Sequence, residues 1–247
     1  MFSKMNICGN DYYISSKKTF IPLGRFKNST IEKVFEFAYN MTFSGEGEHR
    51  DHRSGGTHNR RNGEIFANTF QGKLAECALY NLFTKNKINT TEPDFGIYKL
   101  GVWDAEDINV NGNSISIKST KAFGNLLLLE EKDWDENAVY LPNQKTYDYT
   151  FLVRMDPFCE ELLRKNRFLY SDHVDKNTLK SILLSEIWKY DIPGFISKED
   201  LIDVICLKHI IYRGNKLNGN TIMDATNYYI QAGDMRTIDE FIAELNK

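Results

Sequence analysis

Residues 107–118 read DINVNGNSISIK, and the stretch predicts a β-hairpin. Asn111 and Gly112 separate two runs of alternating apolar and polar residues, which is a strong short-range signal for a two-residue turn. Such a turn sets the register of the two strands, with these cross-strand pairs: Val110 with Asn113, Ile108 with Ile115, and Asp107 with Ser116. The hairpin is therefore the starting point for both the fold and the chemistry.

The predicted hairpin separates apolar from polar side chains, because successive side chains of a strand point to opposite faces. The face expected to pack into the core holds Ile108, Val110, Ile115 and Ile117. The other face holds Asp107, Ser116 and Lys118. Asp107 and Lys118 are diagonal neighbours, about 7–8 Å apart at the backbone, so both side chains can reach one small ligand.

An acid beside an amine suits phosphodiester hydrolysis. The Asp107 carboxylate can hold Mg²⁺, and the Lys118 amine can steady the attacking water and the developing negative charge. The backbone carbonyl of Ile117 can add a hard oxygen ligand. The alternative is an ordinary cross-strand ion pair on a solvated strand face, which contributes little to stability.

Outward from the hairpin, apolar periodicity predicts helices on both sides. Residues Thr30–Met41 form an amphipathic pattern after the capping cluster 28–30, and residues Glu64–Phe83 carry an apolar residue at every fourth position. Further helices are expected at 179–187 and 237–245, and 201–211 is an apolar run of undecided type. Residues 125–129 and 149–153 are expected to be strands in a sheet covered on both faces. The fold class is α/β or α+β, with a mixed central sheet flanked by helices.

A basic segment precedes the second helix. Within residues 49–61 the candidate DNA contacts are Arg50, His52, Arg53, His58, Arg60 and Arg61. Arginine suits contacts to phosphates and to guanine edges, so we expect this loop to contact DNA. The alternative is a solvated surface loop. Lys73 and Lys121 are further candidate DNA contacts.

The order of the hairpin residues resembles the core of the PD-(D/E)XK nucleases. In that pattern an acid on one strand is followed, roughly ten residues later, by a strand that reads apolar-x-apolar-Lys. Asp107 and the run Ser116–Lys118 lie on that pattern, although Ser116 stands where the family usually has an acid. The resemblance implies a second carboxylate on an early helix, for which Glu76 is the candidate. The alternative for Glu76 is an exposed glutamate paired with Lys73. Asp94 and Asp104 are reserve candidates that can equally be turn residues.

The resemblance is to type II restriction enzymes and covers about residues 44–153, leaving 154–247 for dimerisation or specificity. It implies catalytic roles for Asp107, Lys118, Glu76 and Ser116, and Mg²⁺ held by Asp107, Glu76 and the Ile117 carbonyl. It also implies a homodimer that cuts specific sites in double-stranded DNA and leaves 5′ phosphates. The rival hypotheses are a repair or structure-specific nuclease with the same core, and a DNA-binding protein without catalysis.

Composition bounds these hypotheses. The 247 residues are 41% hydrophobic, which predicts one globular domain with a sizeable core. The net charge of −3 argues against binding of nucleic acid through bulk charge alone. The four cysteines are far apart and form no zinc or disulfide pattern. With no run resembling a signal peptide or a membrane span, a cytoplasmic protein is expected, away from membranes.

Overall fold

The computed structural model describes residues 2–44, 60–96 and 107–245, and the chain is a mixed α+β protein. The helices in these ranges are α1 (Asn28–Thr42), α2 (Asn62–Lys85), α3 (Cys159–Lys165), α4 (Lys176–Ser185), α5 (Lys198–Cys206) and α6 (Ile238–Leu245). The strands are β1 (Asn6–Cys8), β2 (Asp11–Tyr13), β3 (Gly24–Arg25), β4 (Ile108–Val110), β5 (Asn113–Lys121), β6 (Leu126–Glu130), β7 (Tyr149–Asp156), β8 (Lys189–Ser197), β9 (Ile210–Ile211), β10 (Lys216–Leu217), β11 (Thr221–Ile222) and β12 (Asn227–Gln231). Two short 3-10 helices cover Glu131–Asp133 and Ala232–Asp234.

The two long helices are those the apolar pattern predicted. The α2 stripe is fully buried at Phe66, Phe70, Leu74 and Ala78, so this face packs into the core. The start of α1 differs from the prediction, because its N-cap is Lys27 without a side-chain capping bond. The polar cluster 28–30 therefore occupies the first turn of the helix instead of preceding it.

The hairpin has the predicted register. Val110 pairs with Asn113 and Ile108 with Ile115. The turn between them has positive φ at Asn111 (50°) and Gly112 (89°), the conformation that Asn-Gly turns adopt most readily. The local sequence is sufficient for this element because both the turn and the alternation are encoded within a few residues.

The hairpin is one end of a five-stranded mixed sheet with the order β3-β8-β7-β5-β4. Strand β5 runs parallel to β7, and the other neighbours are antiparallel. Strand β8 was not predicted, because Pro193 and Gly194 argue against a central strand. The register between β7 and β8 shifts between Leu152 and Arg154, and this bulge accommodates the proline.

Layers of side chains cover both faces of this sheet. On one face, Phe151 and Phe195 pack against Phe83 of α2 and Phe241 of α6, with the Phe151 and Phe241 ring centroids 4.9 Å apart. On the other face lies a three-stranded antiparallel sheet, β6-β12-β9, together with α5. The predicted strand at 125–129 thus belongs to this second sheet and not to the central one.

A third sheet packs against the second one, on the side away from the central sheet. It has the order β1-β2-β10-β11 and covers the outer face of β6 and β12, burying Met5, Tyr12 and Tyr229. The N-terminal strands therefore pair with residues about 200 positions later in the chain, and sequence periodicity cannot predict such pairs. Among the described helices, none has the length and apolar character needed to cross a membrane.

Candidate active site at the β4–β5 hairpin

Asp107 directly precedes β4 and is held by two hydrogen bonds to β5. Its backbone N–H donates to the carbonyl of Ile115 (3.1 Å), and its Oδ2 accepts from the N–H of Ile117 (2.5 Å). An acceptor for a strand N–H lies near the plane of the sheet. The Asp107 side chain therefore lies along the edge of β5. The alternation alone predicted that it projects from the face of the sheet.

The charge state of Asp107 is set by opposing effects. Although the residue retains exposed surface, protein crowds its carboxylate on enough sides for burial to raise the pKa of Asp107 above its ordinary value. The positive charge of Lys118, the N–H of Ile117 and the positive charge of Lys73 act in the opposite direction and lower the pKa. Burial is the largest of these effects, so the net change in the pKa of Asp107 is upward.

Lys118 and Ser116 lie on β5 beside this acid. Lys118 is half-buried and close enough to act electrostatically on Asp107, as the hairpin register predicted. Ser116 is only 2% exposed, because its face of the sheet is covered by the second apolar cluster. The Ser116 hydroxyl is therefore not presented to solvent, whereas Asp107 is exposed and Lys118 half-buried, so this strand face is solvated in part.

Helix α2 brings a second carboxylate into this region. Oε2 of Glu76 accepts a hydrogen bond from Nζ of Lys73 at 2.6 Å, one turn apart on the helix. The side chains are only 11% (Lys73) and 12% (Glu76) exposed. The alternative for Glu76 was an exposed glutamate paired with Lys73. The pair with Lys73 is present, but Glu76 is largely buried.

Two aromatic rings complete the surroundings of Lys73. Its Nζ lies 5.1 Å from the ring centroid of Phe37 and 5.7 Å from that of Phe95, and these two rings meet edge-to-face. The ammonium of Lys33 also lies over Phe95, at 4.1 Å. Sequence patterns do not indicate either ring, because Phe37 belongs to α1 and Phe95 to the segment after α2, and only packing brings them together.

The carboxylate and carbonyl oxygens of this region are of the chemical kind that a hard divalent cation prefers. Mg²⁺ is usually held by one or two carboxylates, with water and substrate oxygens completing its shell. Asp107 and Glu76 are carboxylates acted on by the same ammonium, and the Ile117 carbonyl faces the same strand edge as its N–H. Within the described ranges, no three His, Cys, Asp or Glu side chains cluster as a metal site.

The reserve acids are placed less favourably. Oδ1 of Asp94 accepts a hydrogen bond from the N–H of Gly96 (2.7 Å), which is the geometry of a turn residue. Asp104 lies outside the described residues.

Most of the basic loop also lies outside the described residues, namely Arg50, His52, Arg53 and His58. Arg60 and Arg61 directly precede α2, and Arg61 pairs with Asp172 at 2.6 Å. Lys121, at the end of β5, pairs with Glu161 (3.4 Å). The Arg61 and Lys121 side chains remain 60% and 41% exposed, so a ligand can still reach them.

Comparison of the chain with protein-family models, with curated proteins and with solved structures finds no match.

Proposed function

We propose that this protein is a Mg²⁺-dependent endonuclease of double-stranded DNA with a PD-(D/E)XK-like site. The observation that carries the proposal is the placement of Asp107. Its carboxylate lies at the edge of β5, within electrostatic reach of Lys118 on the hairpin and of Lys73 on α2. Acid and amine groups brought together from a hairpin and a helix are what metal-assisted phosphodiester hydrolysis needs.

The arrangement of elements supports the same proposal. Asp107 directly precedes β4 and Lys118 lies on the antiparallel neighbour β5, at one end of a mixed five-stranded sheet. Strand β5 continues the sheet in parallel with β7. Helix α2, which carries Glu76, packs against β5 and β7 through its apolar face. This order of helix, hairpin and parallel strand agrees with the mixed sheet flanked by helices that the resemblance implies.

Each residue has a distinct part in the proposed reaction. Asp107, Glu76 and the Ile117 carbonyl would hold Mg²⁺, which supplies Lewis acidity and lowers the pKa of bound water. Lys118 donates hydrogen bonds to the attacking water and to a phosphate oxygen, and so stabilises the negative charge of the transition state. The water oxygen attacks phosphorus and gives up a proton to solvent, the bond to the 3′ oxygen breaks, and that oxygen takes up a proton from solvent, which leaves a 5′ phosphate and a 3′ hydroxyl.

The biological setting we propose is that of a type II restriction enzyme, which acts as a homodimer on specific duplex sites. Lys121 and Arg61 are the described cations that we assign to the DNA backbone, because both keep exposed charge. The arginines and histidines of the basic loop would extend this contact. Binding through them predicts an affinity that falls steeply as salt concentration rises.

The test is cleavage of unmethylated phage DNA by the purified protein in Mg²⁺, in Ca²⁺ and in EDTA. Discrete fragments in Mg²⁺ alone, lost in Asp107→Asn and Lys118→Met, are the expected result. Lys132→Met is the matched control, because this lysine lies on the first 3-10 helix, is 55% exposed and should leave cleavage unchanged. Intact DNA in every condition would refute the proposed activity.

Two further outcomes separate the rival functions. Cleavage of branched or single-stranded substrates without discrete fragments from duplex DNA identifies a structure-specific nuclease. Intact DNA with tight binding that is independent of metal identifies a DNA-binding protein without catalysis, and Asp107→Asn then alters binding only through its charge.

A further inference from the structure

The Lys73–Glu76 ion pair differs from the surface pairs of this protein. Its two side chains are about one-tenth exposed, whereas those of the Arg61–Asp172 pair are 60% and 39% exposed. A carboxylate withdrawn from water in this way needs a cation or hydrogen-bond donors, since desolvation is costly for an ionised group. Solvent also screens such a pair less than it screens a surface pair.

The same ammonium acts on two elements of the fold. Lys73 binds Glu76 on its own helix, and its charge also reaches Asp107 on the hairpin. The Phe37 and Phe95 rings lie within 6 Å of Nζ, and such rings attract a cation through their negative faces. The lysine is thus held by aromatic contacts as well as by the carboxylates.

The charges of the four groups balance without any added ion. Asp107 and Glu76 contribute two negative charges when ionised, and Lys73 and Lys118 contribute two positive ones. A divalent cation that binds the two carboxylates meets the Lys73 ammonium already in contact with one of them. Repulsion between the cation and the ammonium then favours movement of the flexible lysine side chain away from Glu76.

We propose that the Lys73 ammonium is the internal counter-ion of Glu76 and Asp107, and that a divalent cation must displace it in order to bind there. This inference rests on the proposed function and assigns Lys73 a positioning role. In the metal-free protein Lys73 holds Glu76 in place. Once displaced, the ammonium is available to the phosphate oxygens of a DNA backbone close to Lys118.

Direct measurement of cation binding tests this proposal without DNA and without catalysis. Binding of Mn²⁺, as a paramagnetic substitute for Mg²⁺, is titrated by electron paramagnetic resonance for the wild type and for Lys73→Met and Lys73→Gln. Removal of the competing charge should tighten binding about fivefold, the effect of a contribution of about 1 kcal/mol. The Lys73→Arg variant keeps the charge and should bind Mn²⁺ within about twofold of the wild type.

The matched control is Lys33→Met, because Lys33 contacts the same Phe95 ring from α1 and has an exposed side chain. This variant should bind Mn²⁺ as the wild type does. Far-UV circular dichroism shows which variants are folded, and Lys73→Gln serves as the test if Lys73→Met does not fold. A folded Lys73 variant without the positive charge that binds Mn²⁺ no more tightly than the wild type overturns the proposal.

Cleavage of DNA by the wild type distinguishes failure of this inference from failure of the proposed function. If the wild type cuts DNA with Mg²⁺ while loss of the Lys73 charge leaves Mn²⁺ affinity unchanged, the counter-ion role is wrong and the nuclease stands. If the wild type neither binds Mn²⁺ nor cuts DNA, the proposed function is wrong and the role of Lys73 is overturned with it.

Discussion

Replacement of Arg154 by methionine should destabilise the protein by about 3–5 kcal/mol, because it leaves a buried carboxylate without its partner. Arg154 on β7 is 1% exposed, and its partner Asp191 on β8 is 7% exposed. The guanidinium Nε donates to Oδ1 of Asp191 (2.8 Å), and Nη2 donates to Oδ2 (2.5 Å). The pair is bidentate and lies next to the bulge between the two strands.

Arg154 also anchors a segment distant in sequence. Nη1 donates to the carbonyl of Lys18 (2.7 Å), and Nη2 donates to that of Thr19 (3.0 Å). Two longer Nη1 contacts, to the Gly124 carbonyl and to Oδ1 of Asn125 (both 3.5 Å), complete the set, so the methionine variant loses six hydrogen bonds and leaves the Asp191 charge buried. Since the folding free energy of a domain is typically about 5–15 kcal/mol, the expected loss is a large share of the total.

Urea unfolding followed by circular dichroism measures this loss in the single variants and in the double variant Arg154→Met, Asp191→Asn. The double variant should be more stable than the sum of the single losses predicts, because neither charge is then left unpaired. Arg164→Met is the control, because Arg164 is 51% exposed in its pair with Glu160 and should contribute less than about 1 kcal/mol. A loss below about 1 kcal/mol for Arg154→Met would refute this reasoning.

Two other predictions concern ionisation and reactivity. Burial raises the pKa of Asp107 in the folded protein above its value in the unfolded chain, which is about 3.9. The neutral carboxyl therefore contributes stability that is fully present below the unfolded-state pKa and is lost as the pH rises through the folded-state pKa. Asp107→Asn should therefore be more stable than the wild type at pH 8 and lose this advantage as pH falls; equal urea midpoints at pH 8 would contradict the prediction. Burial raises the pKa of Cys77 to about 12, and Cys159 is buried as well, whereas Cys8 and Cys206 are exposed. A thiol reagent should modify two cysteines per native chain and four in urea, and rapid modification of all four in the native protein would show that the core opens readily.

The sequence predicted the elements whose determinants are close together along the chain. The Asn111-Gly112 turn and the alternation around it are enough for the hairpin register, because a positive φ and a two-residue period are local properties. The apolar stripe of α2 is local in the same sense. Strand β8 was missed because Pro193 argues against a strand, and only the bulge opposite β7 makes room for it.

For the candidate site, the sequence by itself determined that Asp107 and Lys118 lie close together, because one tight turn relates them. Tertiary structure decided the rest. The packing of α2 on the sheet brings Lys73, more than 30 residues earlier in the chain and paired with Glu76, into electrostatic reach of the hairpin. A hydrogen bond to Ile117 turns the Asp107 carboxylate along the strand edge, a choice that alternation does not encode. Such contacts arise when many apolar side chains are buried together, and no short window of sequence contains that information.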